Sequence, residues 1–179
     1  MRNSKAREIA LTGMLFALAI ALSWLESCVA PLLGLIPALK LGLSNIVVMF
    51  SLIFLRTRTA WMLVVLKALF AFLTRGATAG ILSLCGGVLS LFVLWGLLVG
   101  PIPISGYIYC ICGALAHNLG QLLAASLILS SAMALAYAPV LLLAGIGVGA
   151  LSYILSSALF SALPSLPNQQ KEKRDPFKK

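Results

Sequence analysis

From Gly76 through Gln170 the chain holds no Asp, Glu, Lys or Arg. A soluble domain carries roughly a quarter of its residues as charges, so an uncharged run this long belongs in lipid. Over all 179 residues, 61% are hydrophobic and only 9% charged. At about 20 residues per helical crossing, the length accommodates six spans and no separate soluble domain. The expected fold is therefore an all-α integral membrane bundle of about six transmembrane helices over residues 1–163. Residues 164–179 read as a basic, disordered cytoplasmic tail.

The net charge of +9 does not point to nucleic acid. Its basic residues sit at the ends and in short loops rather than along one face. Cys28, Cys85, Cys110 and Cys112 have no metal-ligand spacing and read as small buried residues. No metal or cofactor is expected. The basic head (Arg2, Lys5, Arg7) before an apolar run has the outline of a signal peptide. Glu26 fits poorly within the lipoprotein-like string Leu25-Glu26-Ser27-Cys28, so the segment is read as a retained first helix.

Apolar runs place the segments at about Glu8–Leu25, Leu41–Leu55, Ala60–Thr74, Ala79–Leu98, Ser105–Leu129 and Tyr137–Phe160. The second and third are short for full spans. Pro31, Gly34 and Pro37 break the first connection into a structured or re-entrant loop. Pro101 and Pro103 mark the turn between segments four and five. Pro139 falls in the first turn of segment six, where a missing N–H does little harm, and Gly145, Gly147 and Gly149 thin that helix. In segment one, Gly13, Ala17 and Ala21 recur every four residues, a ladder that lets another helix approach closely.

Basic residues in short loops set orientation. Arg2, Lys5 and Arg7, then Arg56 and Arg58, then five in the tail all fall on one side if six spans are made. That side is expected to be cytoplasmic. Counting about 1.5 Å per residue then puts the polar groups in the middle or outer half of the bilayer. These are Glu26, Lys40, Ser44, Asn45, Lys67, Arg75, Ser83, Ser90, His117, Asn118 and Gln121. Interhelical glue is the bland alternative, since Asn, Gln and His do bridge membrane helices. Glue has no reason to be one-sided, whereas a cavity entered from outside does.

The candidate substrate-binding residues are His117, Asn118, Gln121, Lys67, Asn45, Lys40, Glu26 and Arg75. His117, the only histidine, shares a helical face with Gln121, Gly113 and Gly120. Lys67 lies mid-helix, too deep to snorkel comfortably. Lys40 and Arg75 also read as interface anchors, and Glu26 as a partner for Lys40 or Lys67. Trp24, Trp61 and Trp95 fit aromatic belts. Two or three cations against one carboxylate suit a small organic anion or zwitterion.

Catalysis is not expected. Prenyl-diphosphate synthesis of the soluble kind needs paired aspartates for magnesium, and the chain has one Asp, Asp175. A serine triad lacks an acid other than Glu26 beside the lone His. No GxxxxGK[ST] loop is present, so any ATP use belongs to another subunit. No inverted repeat marks a self-sufficient transporter.

The strings LIPALKLGLSNIV (Leu35–Val47), GALAHNLGQLLAA (Gly113–Ala125) and YAPVLLLAGIGVG (Tyr137–Gly149) resemble the Gx transporter family, also labelled heptaprenyl diphosphate synthase component I. The resemblance covers nearly the whole chain except the tail. It departs at Ala38, where the family more often has Gly before the Lys. That family is similar to the substrate-binding S components of energy-coupling factor (ECF) transporters. The resemblance implies a multi-pass inner-membrane subunit whose partners are an ECF coupling transmembrane subunit and ATPase subunits. It also implies that Gly13, Ala17 and Ala21 dock onto that coupling subunit, through an AxxxA motif at Ala17 and Ala21. The enzyme label conflicts with the missing aspartates. The alternative it implies is a non-catalytic membrane partner of isoprenoid or quinone synthesis, or of flavin–quinone electron transfer.

Overall fold

The computed structural model describes residues 2–29, 32, 42–100, 104–128 and 131–162. Lys40, the loop residues Pro31, Gly34 and Pro37, the turn residues Pro101 and Pro103, and the tail 164–179 lie outside them. Six helices follow one another: α1 (Arg2–Val29), α2 (Asn45–Phe54), α3 (Thr57–Arg75), α4 (Ala77–Val99), α5 (Gly106–Ile128) and α6 (Ser131–Ala162). Five of them, all but α2, are long and apolar enough to cross a membrane. The protein is a multi-pass all-α membrane protein. Its outer faces carry the large apolar side chains that lipid solvates, among them Met14, Leu73, Leu123, Leu127 and Leu143.

Two elements differ from the sequence reading. The apolar run Leu41–Leu55 yields a helix of only 10 residues, about 15 Å against a hydrocarbon core of about 30 Å. Gly42 takes a left-handed φ of 97°, so the helix cannot begin before the turn it makes. Ile46 through Leu52 are all buried, and α2 touches every other helix. It is a half-length core helix, not a sixth full span.

The second difference is at Pro139, which lies inside α6 rather than in its first turn. The helix starts at Ser131 because the preceding Ala-rich stretch is itself a good helix former. Membrane helices tolerate such a proline where local adjustment re-satisfies the freed carbonyl.

Consecutive long helices pack as neighbours, α3 on α4, α4 on α5 and α5 on α6, while α1 rests on α2 and α3. One apolar cluster joins Val48, Leu52, Ala60, Leu63, Leu91, Leu94 and Tyr109. It fills the half of the bundle that holds the α2–α3 turn at Arg56. A second cluster, around Leu82, Ala114, Ala125 and Leu141, flanks the other half. The sequence reading places the strongly polar groups in the other half, and the Arg56 half holds a few buried hydroxyls. Ser51, Thr59, Ser152 and Ser156 are buried there, and Ser152 returns its hydroxyl to the Val148 carbonyl at 2.6 Å. A serine that bonds its own helix in this way adds little polarity to its surroundings.

Candidate functional site

Close helix packing builds the site first. A Cβ placed on Gly120 would lie 2.7 Å from the Cys85 carbonyl oxygen and 2.8 Å from Gly86 Cα. The backbones of α4 and α5 therefore touch, as small residues permit. On the next helix, Gly149 meets the Ile111 backbone and Gly145 meets Leu115. These contacts draw α4, α5 and α6 together and fix the rotation of α5. That rotation turns His117, Asn118 and Gln121 inward, and all three are buried.

His117 is held between two glycines. A Cβ on Gly42 would sit 2.9 Å from its Cδ2, and a Cβ on Gly86 would sit 2.9 Å from both Cε1 and Nδ1. The imidazole thus lies between the entry to α2 and the middle of α4. The strings GLSN and HNLGQ, far apart in sequence, meet at this ring.

Glu26 fixes the entry to α2 from the opposite direction. Its side chain is fully buried, and Oε1 accepts hydrogen bonds from the Gly42 and Leu43 backbone N–H groups. Those amides begin the turn in which the Gly42 carbonyl accepts from Asn45 N–H at 2.9 Å and the Leu43 carbonyl from Ile46 N–H at 3.1 Å. A carboxylate at the start of a helix satisfies donors that otherwise lack partners and suits the helix dipole. The sequence reading offered Lys40 or Lys67 as a partner for Glu26; the backbone amides, sixteen and seventeen residues away, are further partners that carry no sequence signal.

The two asparagines make interhelical bonds. Asn45 donates to Ser90 Oγ at 2.6 Å, and Ser90 donates to the Gly113 carbonyl at 2.8 Å, linking α2, α4 and α5. Asn118 donates to the Leu141 carbonyl at 2.6 Å, linking α5 and α6.

Four of the candidate substrate-binding residues converge on one cavity. Lys67 and Arg75 reach it from α3, His117 and Gln121 from α5. Ser23, Ser44, Ala79 and Ser83 complete the lining. Its volume is about 10 Å³, room for about one water. Lys67 is buried at 7% exposure. Glu26, one turn beyond the lining residue Ser23, acts by its charge on Arg75. Asn45 faces a separate recess with Gly42, Met49, Cys110 and Ser152. Ser23 was missed from sequence, although it lies one turn before Glu26 on the buried face of α1.

The docking ladder lies elsewhere. Gly13, Ala17 and Ala21 are exposed, and the opposite face of α1, with Ala19, Ser23 and Glu26, is the one turned into the bundle.

A family model described as heptaprenyl diphosphate synthase component I matches residues 15–159. The chain belongs to that family. The match includes α2 through α5, the two strings that meet at His117, and most of α1 and α6. Among curated proteins and among solved structures, none matches the chain.

Proposed function

We propose that this member of the heptaprenyl diphosphate synthase component I family is a non-catalytic, solute-binding subunit of an energy-coupling factor-type uptake transporter. It resides in the inner membrane with both termini in the cytoplasm, α2 returning the chain from the Glu26 end of α1 to the Arg56 side although it is half-length, and it takes a small organic solute, anionic or zwitterionic, from outside. The observation that carries this reading is the buried cavity with two cations of α3 facing the imidazole and carboxamide of α5. A buried cation is costly unless it is paired, hydrogen-bonded or kept for a ligand. In its present form the cavity is too small for an organic solute, so the reading requires that it open.

The outward ladder of Gly13, Ala17 and Ala21 supports the transporter part of the reading. It is a close-packing surface that the other described residues leave uncovered, and a coupling transmembrane subunit is the partner proposed for it. ATP hydrolysis falls to separate ATPase subunits. The test is co-purification with an ECF coupling subunit from a co-expression strain. Ala17→Leu with Ala21→Leu is expected to abolish it while the protein remains folded in the membrane; unchanged recovery would contradict it.

The family's description favours a second reading, a non-catalytic membrane partner of prenyl diphosphate synthesis. Co-purification with a prenyl synthase, unaffected by the two leucines, would establish that reading instead.

A further inference from the structure

Resting on the solute-binding reading, the geometry points to the charge class of the solute: the cavity is built for a monoanion, a carboxylate or its equivalent, and not for a zwitterion. Three ionisable groups with fixed charge surround it among the described residues. Lys67 and Arg75 line it, and the buried Glu26 is near enough for its charge to act on Arg75. Their formal sum is +1, however the charges are shared among the three. His117 beside them is neutral in this count. One negative charge therefore completes the set, whereas a zwitterion leaves the buried sum unchanged.

Two observations locate that charge. Glu26 directs Oε1 to the Gly42 and Leu43 amides, so at least one of its oxygens is committed to the start of α2. Arg75 Nη1 is buried and has no hydrogen-bond partner among the described residues. A guanidinium is a planar fork matched to a carboxylate, and this one lines the cavity with a donor to spare. The neighbouring Ser83 hydroxyl and Gln121 carboxamide bring neutral donors to the same space. Among the described residues, no carboxylate lines it to receive the ammonium group of a zwitterion.

Acetate, acetamide and glycine test this directly, because they are of similar size and differ in charge as monoanion, neutral amide and zwitterion. The purified full chain in lipid nanodiscs is titrated with each at constant ionic strength, and thermal unfolding is followed. Acetate is expected to raise the midpoint of the wild type more than acetamide or glycine does. Arg75→Gln is expected to weaken the acetate effect about ten- to a hundred-fold, the range for a lost hydrogen bond to a charged group. Arg75→Lys, which keeps the charge but not the fork, should recover part of it and controls for folding.

Glycine or acetamide matching acetate would overturn the monoanion assignment and leave the solute-binding reading standing. An acetate effect that survives Arg75→Gln would equally overturn it. Stabilisation by none of the three would remove the cavity as a binding site altogether.

Discussion

Helices α1 and α5 are both apolar, both membrane-length and both carry small residues at intervals of about one or two turns, yet they use them in opposite ways. In α5 the small residues face neighbours of the same chain: Gly113 abuts Leu94, and Gly120 lies on the α4 backbone. Half of its apolar stretch is buried. In α1 the corresponding residues Gly13, Ala17 and Ala21 face outward, a Cβ on Gly13 would meet nothing within 4 Å, and only 22% of the stretch is buried. Small residues in a membrane helix mark where another backbone comes close. In α5 that backbone is present; in α1 none of the described residues supplies it.

The largest expected effect comes from breaking the α5 side. Gly120→Val drives a branched side chain into the α4 backbone, which cannot move aside as a side chain tip would. Overpacking of this kind costs about 1–3 kcal/mol and occasionally more, and both His117 and Gln121 would be displaced with it. Recovery of folded protein after a heating series should fall sharply. Tolerance of valine would mean that α4 and α5 are not held at this distance.

Next in size is the latch between α1 and α2. Glu26→Ala leaves the Gly42 and Leu43 amides without their acceptor inside the bundle, for an expected loss of about 1–3 kcal/mol. Glu26→Gln keeps an acceptor oxygen and should lose less. Equal stability of the alanine variant and wild type in chemical denaturation would show that the carboxylate does not hold α2 in place.

Asn118→Ala should cost about 0.5–1.5 kcal/mol, because the Leu141 carbonyl keeps its place within the α6 ladder. The smallest effect belongs to the α1 face. Gly13→Leu, like the paired leucines at Ala17 and Ala21, should change the stability of the isolated chain by no more than about 0.5 kcal/mol. A substantial loss of stability there would mean that the ladder packs within this chain, and the contrast with α5 would collapse.

Most of the frame was legible in the sequence. Hydropathy located the ends of the long helices to within a few residues except the starts of α1 and α6, and period and depth brought Lys67, Arg75, His117 and Gln121 to the same place. What could not be read has a common cause, contact with distant backbone. The run Leu41–Leu55 looks like a short span, and only the left-handed turn at Gly42, seated on His117 and bonded to Glu26, reveals a half-length helix. Lys40 lies outside the described residues. Asn45 and Asn118 were grouped with the cavity by depth alone, whereas their amides tie α2 to α4 and α5 to α6. Spacing along one helix does not specify which neighbour a carboxamide meets.

The measurement that bears most directly on the cavity is solute retention by the protein itself. Wild type, His117→Ala and Lys67→Met would be purified in nanodiscs, their bound small molecules released and quantified by mass spectrometry, and their thermal unfolding recorded alongside. The account predicts a solute carried by the wild type and reduced about ten- to a hundred-fold in affinity by either substitution, with the folded fraction little changed. If both variants instead lose stability while affinity per folded molecule is unaltered, His117 and Lys67 hold helices together and the cavity is not a solute site.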